Sequence, residues 1–233
     1  VDVGTDGGTV TPGAGGHTPA GVVPGGSAPG GVGTGGAFFL AGPTTFTVSA
    51  GQTRTIAGSI ADVRDFFGTP TSHGFSRAKL IKSGPGILVL DFNSYTGGTL
   101  ISQGTIQASS FASLGLHQEP IAMNDAATGA ADTSLLVGAG GFDHPIDVAN
   151  AGSGVTTIGS TAASSSAVLF AQPITLGRGV TLLGQNASPL PANHDGGQTR
   201  FDGAISGPGG VTITGGNMIQ FRTGAKTYAG LTR

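Results

Sequence analysis

The chain has 233 residues, 45 of them glycine, with 12 acidic and 10 basic side chains and a net charge of −2. Glycine at more than twice the roughly 7% of average proteins, with no strict G-X-Y period, excludes collagen, and the near-neutral charge offers no basic footprint for nucleic acid or an anionic membrane. Without cysteine there is no disulfide framework, thiolate zinc site or thiol nucleophile, and apolar runs such as Ile87-Leu88-Val89-Leu90 are too short to cross a bilayer as a helix.

Residues 1–36 stand apart. They hold fourteen glycines and four prolines, and Asp2 and Asp6 are their only charges. Such a stretch cannot bury a core of its own. It reads either as a flexible linker or as an extended, polyproline-II-like segment laid against its own domain or a neighbouring copy. The chain opens on Val1 and lacks the basic start, apolar run and cleavage site of a signal peptide, so a processed product is expected.

From residue 37 the pattern changes to runs of four to six β-type residues bounded by Gly, Pro, Asn or Asp, the strand signal. In chain order these include Phe46-Thr47-Val48, Ile87-Leu88-Val89-Leu90, Thr99-Leu100-Ile101 and Gly104-Thr105-Ile106-Gln107. Further on come Leu135-Leu136-Val137, Ile146-Asp147-Val148, Val168-Leu169-Phe170, Val180-Thr181-Leu182-Leu183 and Val211-Thr212-Ile213-Thr214. A helical spacing occurs once, over residues 57–67, where Ile60, Val63 and Phe67 recur three to four apart; Gly58, Gly68, Asp62 and Asp65 make a loop the competing reading. No series of two-residue hairpins punctuates the runs, which favours parallel coils.

Internal repetition supports the coils. Lys82-Ser83-Gly84-Pro85-Gly86-Ile87 leads to Asn93-Ser94-Tyr95-Thr96-Gly97-Gly98-Thr99, then Gly104-Thr105-Ile106, then Ser113-Leu114-Gly115. A second copy reads Ser206-Gly207-Pro208-Gly209-Gly210-Val211 and Tyr228-Ala229-Gly230-Leu231-Thr232, pairing Tyr95 with Tyr228, Gly97 with Gly230 and Thr99 with Thr232. A partial copy of the opening includes Gly58-Ser59-Ile60-Ala61-Asp62. These residues resemble the passenger-associated repeat of bacterial autotransporters. The resemblance implies an all-β, right-handed parallel β-helix over residues 37–233, at the bacterial surface or outside the cell. It implies a passenger fragment, a cleaved product, or a protein that borrows the repeat for another purpose, without the family's membrane barrel. Residues 1–36 and an insertion at 63–78 lie outside its pattern.

The coil geometry sets further expectations. Stacked coils are about 4.7–4.9 Å apart, and roughly 20–25 residues per coil give about eight or nine coils and a rod of about 40 Å. Ile87, Val89, Leu100, Ile106, Val180, Leu182, Val211 and Ile213 are the expected core, with Thr, Ser and Gln outward. Thr96-Gly97-Gly98-Thr99 reads as a corner where glycine supplies positive φ or close approach, and Tyr95 and Tyr228 read as packing residues. Open strand edges at both ends invite head-to-tail association into a fibre.

The expected function is a non-enzymatic scaffold or adhesin of a surface, matrix or biofilm, with no cofactor and no membrane insertion of this segment, and with partners among other copies or glycans. The alternative is a glycan-binding or polysaccharide-degrading β-helix. Carboxylate clusters that could serve acid–base hydrolysis are Asp62/Arg64/Asp65, Asp143/His144/Asp147, and His194/Asp195 with Arg200/Asp202. Each sits in a loop-like context, where solvated turn residues are the plainer reading. Gly140-Gly141-Phe142-Asp143 is one unrepeated fragment of a calcium-binding nonapeptide, so no metal is expected.

Overall fold

A computed structural model describes residues 38–40, 42–62, 77–115, 119–138, 140–161, 167–184 and 198–233. Residues 1–36, positions 63–76 of the insertion, and Arg64, Asp65, His194 and Asp195 lie outside the described residues.

The first strands are β1 (Phe38–Leu40), β2 (Thr44–Thr47), β3 (Thr53–Ile56), β4 (Ile60–Asp62), β5 (Leu80–Ser83), β6 (Ile87–Leu90), β7 (Thr99–Ile101) and β8 (Gly104–Ala108). After a 3-10 turn at Phe111–Leu114 come β9 (Ile121–Met123), β10 (Thr133–Val137), β11 (Gly140–Phe142), β12 (Ile146–Val148), β13 (Thr156–Ser160) and β14 (Val168–Phe170). The last are β15 (Ile174–Leu176), β16 (Val180–Gly184), β17 (Thr199–Phe201), β18 (Ile205–Ser206), β19 (Val211–Gly215) and β20 (Ile219–Phe221). The helical spacing at 57–67 is overruled in its described part: Ile60–Asp62 pair in parallel with Phe38–Leu40. Among the described residues, no helix is long and apolar enough to cross a membrane.

The strands stack into a right-handed parallel β-helix. One face orders β2-β5-β7-β9-β12-β15-β18, and a second orders β3-β6-β8-β10-β13-β16-β19. A third side carries β11-β14-β17-β20, with β1 and β4 forming a separate pair. The two seven-stranded faces make seven coils, and the bridges Ile205↔Lys226 and Val211↔Thr232 begin an eighth. Eight or nine full coils were expected. Coil length is uneven, from 19 residues (Leu80 to Thr99) to 36 (Thr44 to Leu80), because the corners absorb loops of different size.

Side chains alternate in and out, and inward columns run the length of the rod. On the first face the columns are Leu80-Thr99-Ile121-Ile146-Ile174-Ile205 and Phe46-Lys82-Ile101-Met123-Val148-Leu176. On the second, Leu88-Ile106-Leu135-Ile158-Leu182-Ile213 stack in register. Ile106, Val180, Leu182 and Val211 are buried as expected. Ile87, Val89 and Leu100 are not: they face outward and are half-buried, while Leu88, Leu90 and Ile101 fill the core. Four successive apolar residues carry no alternation, and a one-residue slip exchanges the faces. The register with β8, whose Thr105 and Gln107 face outward, decides it. Ile213 lies in an inward column but is 41% exposed, because no strand of an eighth coil covers that column. The outer surface is also less polar than expected, with Ile81, Leu136 and Leu183 half-buried upon it.

Candidate functional site

The repeat residues lie at two corners: Asn93–Gly98 link the second coil to the third, and Gly84, Gly86 and Gly104 stand where the first face turns into the second. Tyr95 is fully buried and its hydroxyl lies 2.5 Å from Thr99 Oγ1. That bond explains why Thr99 occupies an inward column between Leu80 and Ile121: its hydroxyl is satisfied inside the core. Burial pushes the Tyr95 phenol well above its ordinary pKa of 10, and the Thr99 bond opposes it. Gly115 closes over the ring. A Cβ there would lie 2.5 Å from Tyr95 O and 2.9 Å from its Cε2, so the Ser113-Leu114-Gly115 element is the lid on the tyrosine.

Asn93 ties three segments together. Its Nδ2 donates to Asp91 O (2.7 Å) and Ser113 O (2.5 Å), and its Oδ1 accepts from Ile60 N (2.7 Å). Asp62, also buried, accepts on Oδ2 from Thr96 N (2.7 Å), Thr96 Oγ1 (2.6 Å) and Ala78 N (3.3 Å). The sequence sets Asp62 in a loop-like cluster with Arg64 and Asp65, where a solvated turn is expected; the structure buries it. The signal missing from that expectation is the partner, Thr96, a coil later.

The glycines divide by cause. At Gly97 a Cβ would meet Ala78 C at 2.4 Å, whereas Gly98 has φ +79°. Gly84 and Gly104 combine both demands, with φ of +71° and +74° and backbone oxygens 2.5 and 2.3 Å from a would-be Cβ. Gly86 is pressed against Ser49 O, Gly207 against Leu176 O and Gly209 against Arg178 O. Thr105 faces outward on β8.

Lys82 stands in the core column between Phe46 and Ile101 with no exposed surface. Its stem fills the column, and Nζ donates to Ser83 O (2.8 Å), Gly84 O (2.6 Å) and Gln103 O (3.1 Å). Burial pulls its ammonium from 10.5 down to about 8, against the carbonyls that favour the charge.

The second copy is offset. Tyr228 repeats the local bond, its hydroxyl 2.6 Å from Thr232 Oγ1. Thr99, however, pairs on the first face, whereas Thr232 bridges Val211 on the second. Tyr228-Ala229-Gly230-Leu231-Thr232 therefore turns the next corner, and Gly230 packs against Gly210. The place of Thr96-Gly97 is taken by Thr223-Gly224, where Gly224 N donates to Asp202 O (2.7 Å) as Gly97 N donates to Ala78 O (3.0 Å). Lys226 takes the place of Thr99 in the first-face register, and its Nζ donates to Gly203 O (2.7 Å) and Gly224 O (2.6 Å).

The other carboxylate clusters divide. Asp143 accepts from Gln172 (2.5 Å), His144 is buried with its ring 5.4 Å from that of Phe142, and Asp147 is exposed on the outside of β12. Arg200 and Asp202 form an ion pair at 3.0 Å. Among the described residues, no three His, Cys, Asp or Glu side chains gather as a metal site. A further repeat escaped the sequence reading. Phe142, Phe170, Phe201 and Phe221 stack at centroid spacings of 5.5, 4.8 and 5.9 Å. Its signal is Phe followed by Pro-Ile or Ala-Ile at the third and fourth positions, as in Phe142-Asp143-His144-Pro145-Ile146, Phe170-Ala171-Gln172-Pro173-Ile174 and Phe201-Asp202-Gly203-Ala204-Ile205.

Residues 80–108, from β5 through β8, match a family model described as the passenger-associated-transport-repeat. No curated protein and no solved structure matches the chain. The chain thus carries a repeat of autotransporter passengers within a parallel β-helix.

Proposed function

We propose that the chain is a non-enzymatic scaffold of an autotransporter passenger, displayed at the bacterial surface or outside the cell, and that its copies associate with one another. The observation that carries the scaffold reading is how the repeat uses its polar residues. Asn93, Tyr95, Thr96 and Thr99 all spend their side chains on the chain's own backbone or neighbours, which leaves the motif building the rod rather than meeting a ligand.

Sedimentation and electron microscopy of the purified chain over a range of concentrations test the association. Oligomers growing with concentration are expected, and monodisperse monomers at high concentration overturn it. The non-enzymatic reading is tested by a polysaccharide cleavage screen. A cleavage activity that disappears in a folded Asp143→Ala variant would replace the scaffold reading with the enzymatic one.

A further inference from the structure

The second face presents a surface unlike the other two sides. From β6 to β19 none of its outward positions carries a charge, whereas Asp147 stands outward on the first face and Arg200 on the third. Two outward columns run along it in register. One is Ile87-Thr105-Ser134-Thr157-Thr181-Thr212 and the other is Val89-Gln107-Leu136-Gly159-Leu183-Thr214. The rungs from β8 to β16 have a paired strand on both sides, so their outward surface does not depend on either end of the rod.

The second column has a rhythm of two rungs. Val89, Leu136 and Leu183 are large and apolar, and Gln107, Gly159 and Thr214 alternate with them, so apolar ridges recur about every 9.6 Å. At Gly159 the gap between two leucines is fixed, because a Cβ there would collide with Leu183 O. Such a column is complementary to its own reverse. Let a second copy face the first with its rod reversed and the two-fold axis between β10 and β13. Leu136 then meets Gly159 of the second copy, Leu183 meets the aliphatic stem of its Gln107, and Val89 meets its Thr214. In the other column Ser134 meets Thr157, and Thr105 meets Thr181, hydroxyl against hydroxyl.

We propose that the second face docks a second copy of this chain, sheet on sheet, with the two rods antiparallel. The proposal rests on the association proposed above and gives it a surface and a register. Six rungs of about five residues cover roughly 29 Å by 17 Å, about 500 Å² on each copy and about 1,000 Å² in all, the lower bound of a specific interface. A weak, reversible contact follows. Two identical faces without charge meet with no like-charge penalty.

Sedimentation of the whole chain and its variants over a concentration series tests the proposal. Leu136→Lys with Leu183→Lys puts charge on the ridge at outward positions, and Thr175→Lys, outward on the first face, is the control. The ridge variant is expected to dimerise about tenfold or more less tightly, and the control like the parent, with unfolding midpoints retained. A second pair of variants reads the register and spares the leucines. Thr105→Asp with Thr181→Asp sets like charges across the interface, and Thr105→Lys with Thr181→Asp sets opposite ones. Within one chain the two sites are three rungs apart, about 14 Å, beyond the screening length of about 8–10 Å. The first combination should weaken dimerisation about tenfold or more, and the second should match or exceed the parent. A parent that associates, with a ridge variant of equal affinity, overturns this surface and leaves association standing. Equal weakening by both charge combinations overturns the antiparallel register. A parent that stays monomeric overturns the association itself and this surface with it.

Discussion

The adjacent glycines of the repeat corner separate two reasons for glycine, and substituting each by alanine measures them. At Gly97 the new Cβ would stand 2.4 Å from Ala78 C, 2.5 Å from Ala78 O and 2.6 Å from Arg77 O. Ordinary carbon contacts are about 3.5–4.0 Å, so two coils must part by about 1 Å against backbone atoms that cannot rotate away. Overpacking of that kind costs about 1–3 kcal/mol. Parting also strains the Gly97 N–Ala78 O bond (3.0 Å) and the Thr96–Asp62 bonds beside it, each worth about 1 kcal/mol or more. The expected loss for Gly97→Ala is therefore about 3–5 kcal/mol. At Gly98 the backbone sits at φ +79°, and the nearest atom to a new Cβ is Glu119 Cβ at 3.1 Å, a contact relieved by a shift of a few tenths of an ångström. The left-handed penalty alone predicts a loss of about 1–2 kcal/mol. Gly216→Ala is the control, with nothing within 4 Å of its Cβ, and should stay within about 0.5 kcal/mol of the parent. Urea unfolding followed by circular dichroism and by tyrosine fluorescence gives all three; the chain has two tyrosines and no tryptophan, so the fluorescence reports on the two repeat tyrosines. A Gly98→Ala loss equal to or larger than that of Gly97→Ala would refute the close-approach argument.

The same unfolding assay reads three other expectations. Tyr95→Phe should cost about 1–3 kcal/mol, because Thr99 Oγ1 is left buried with only Leu114 O at 3.5 Å, whereas Tyr228→Phe on the open coil should cost less than about 0.5 kcal/mol. Phe170→Ala, which removes the middle of the stacked phenylalanines, should cost about 3–5 kcal/mol, and Phe221→Ala at the end of the stack clearly less. Lys82 has a folded pKa of about 8 against 10.5 unfolded, so the unfolded chain binds more protons between those values and stability should rise with pH across them, by at most about 3 kcal/mol. Lys82→Met should flatten that rise when midpoints are compared from pH 7.5 to 9.5, below the range in which the raised phenol of Tyr95 acts in the opposite sense; an unchanged slope would show that Lys82 does not carry it.

The fold class was legible because its cause is local. A parallel coil needs short strands and sharp corners, and both leave marks in the sequence: β-branched runs, and glycine wherever φ is positive or another backbone lies close. Strand parity was legible only where polar and apolar residues alternate. Thr105-Ile106-Gln107 gave it correctly, while Ile87-Leu88-Val89-Leu90 contains no information on which pair faces in. Lys82 and Thr99 defeated the rule that inward residues are apolar, since each meets its polar partners by reaching along the corner rather than out to water. Tyr228 illustrates a different limit. The spacing Tyr-x-x-x-Thr reproduces the same hydroxyl bond at two different corners, so local similarity fixes a bond and leaves open the edge of the rod that carries it. His144 is parted from Asp143 and Asp147 by alternation, which buries the imidazole and leaves both carboxylates exposed.

These placements give a common account of the chain's scarce charges. A stacked corner directs several backbone carbonyls toward one point, and each of Lys82, Arg178 and Lys226 delivers a cation to such a point. Within the described residues the ion pairs are two, Arg77 with Glu119 and Arg200 with Asp202, and the first is largely exposed. These three cations thus act as struts across glycine corners, and at Lys82 and Arg178 an uncharged donor with one or two hydrogens could not serve the three acceptors. The setting then decides what burial does to the charge: Lys82, with no exposed surface, has its ammonium pulled down to about 8, whereas at the more open Lys226 the nearby Asp202 carboxylate opposes the lowering.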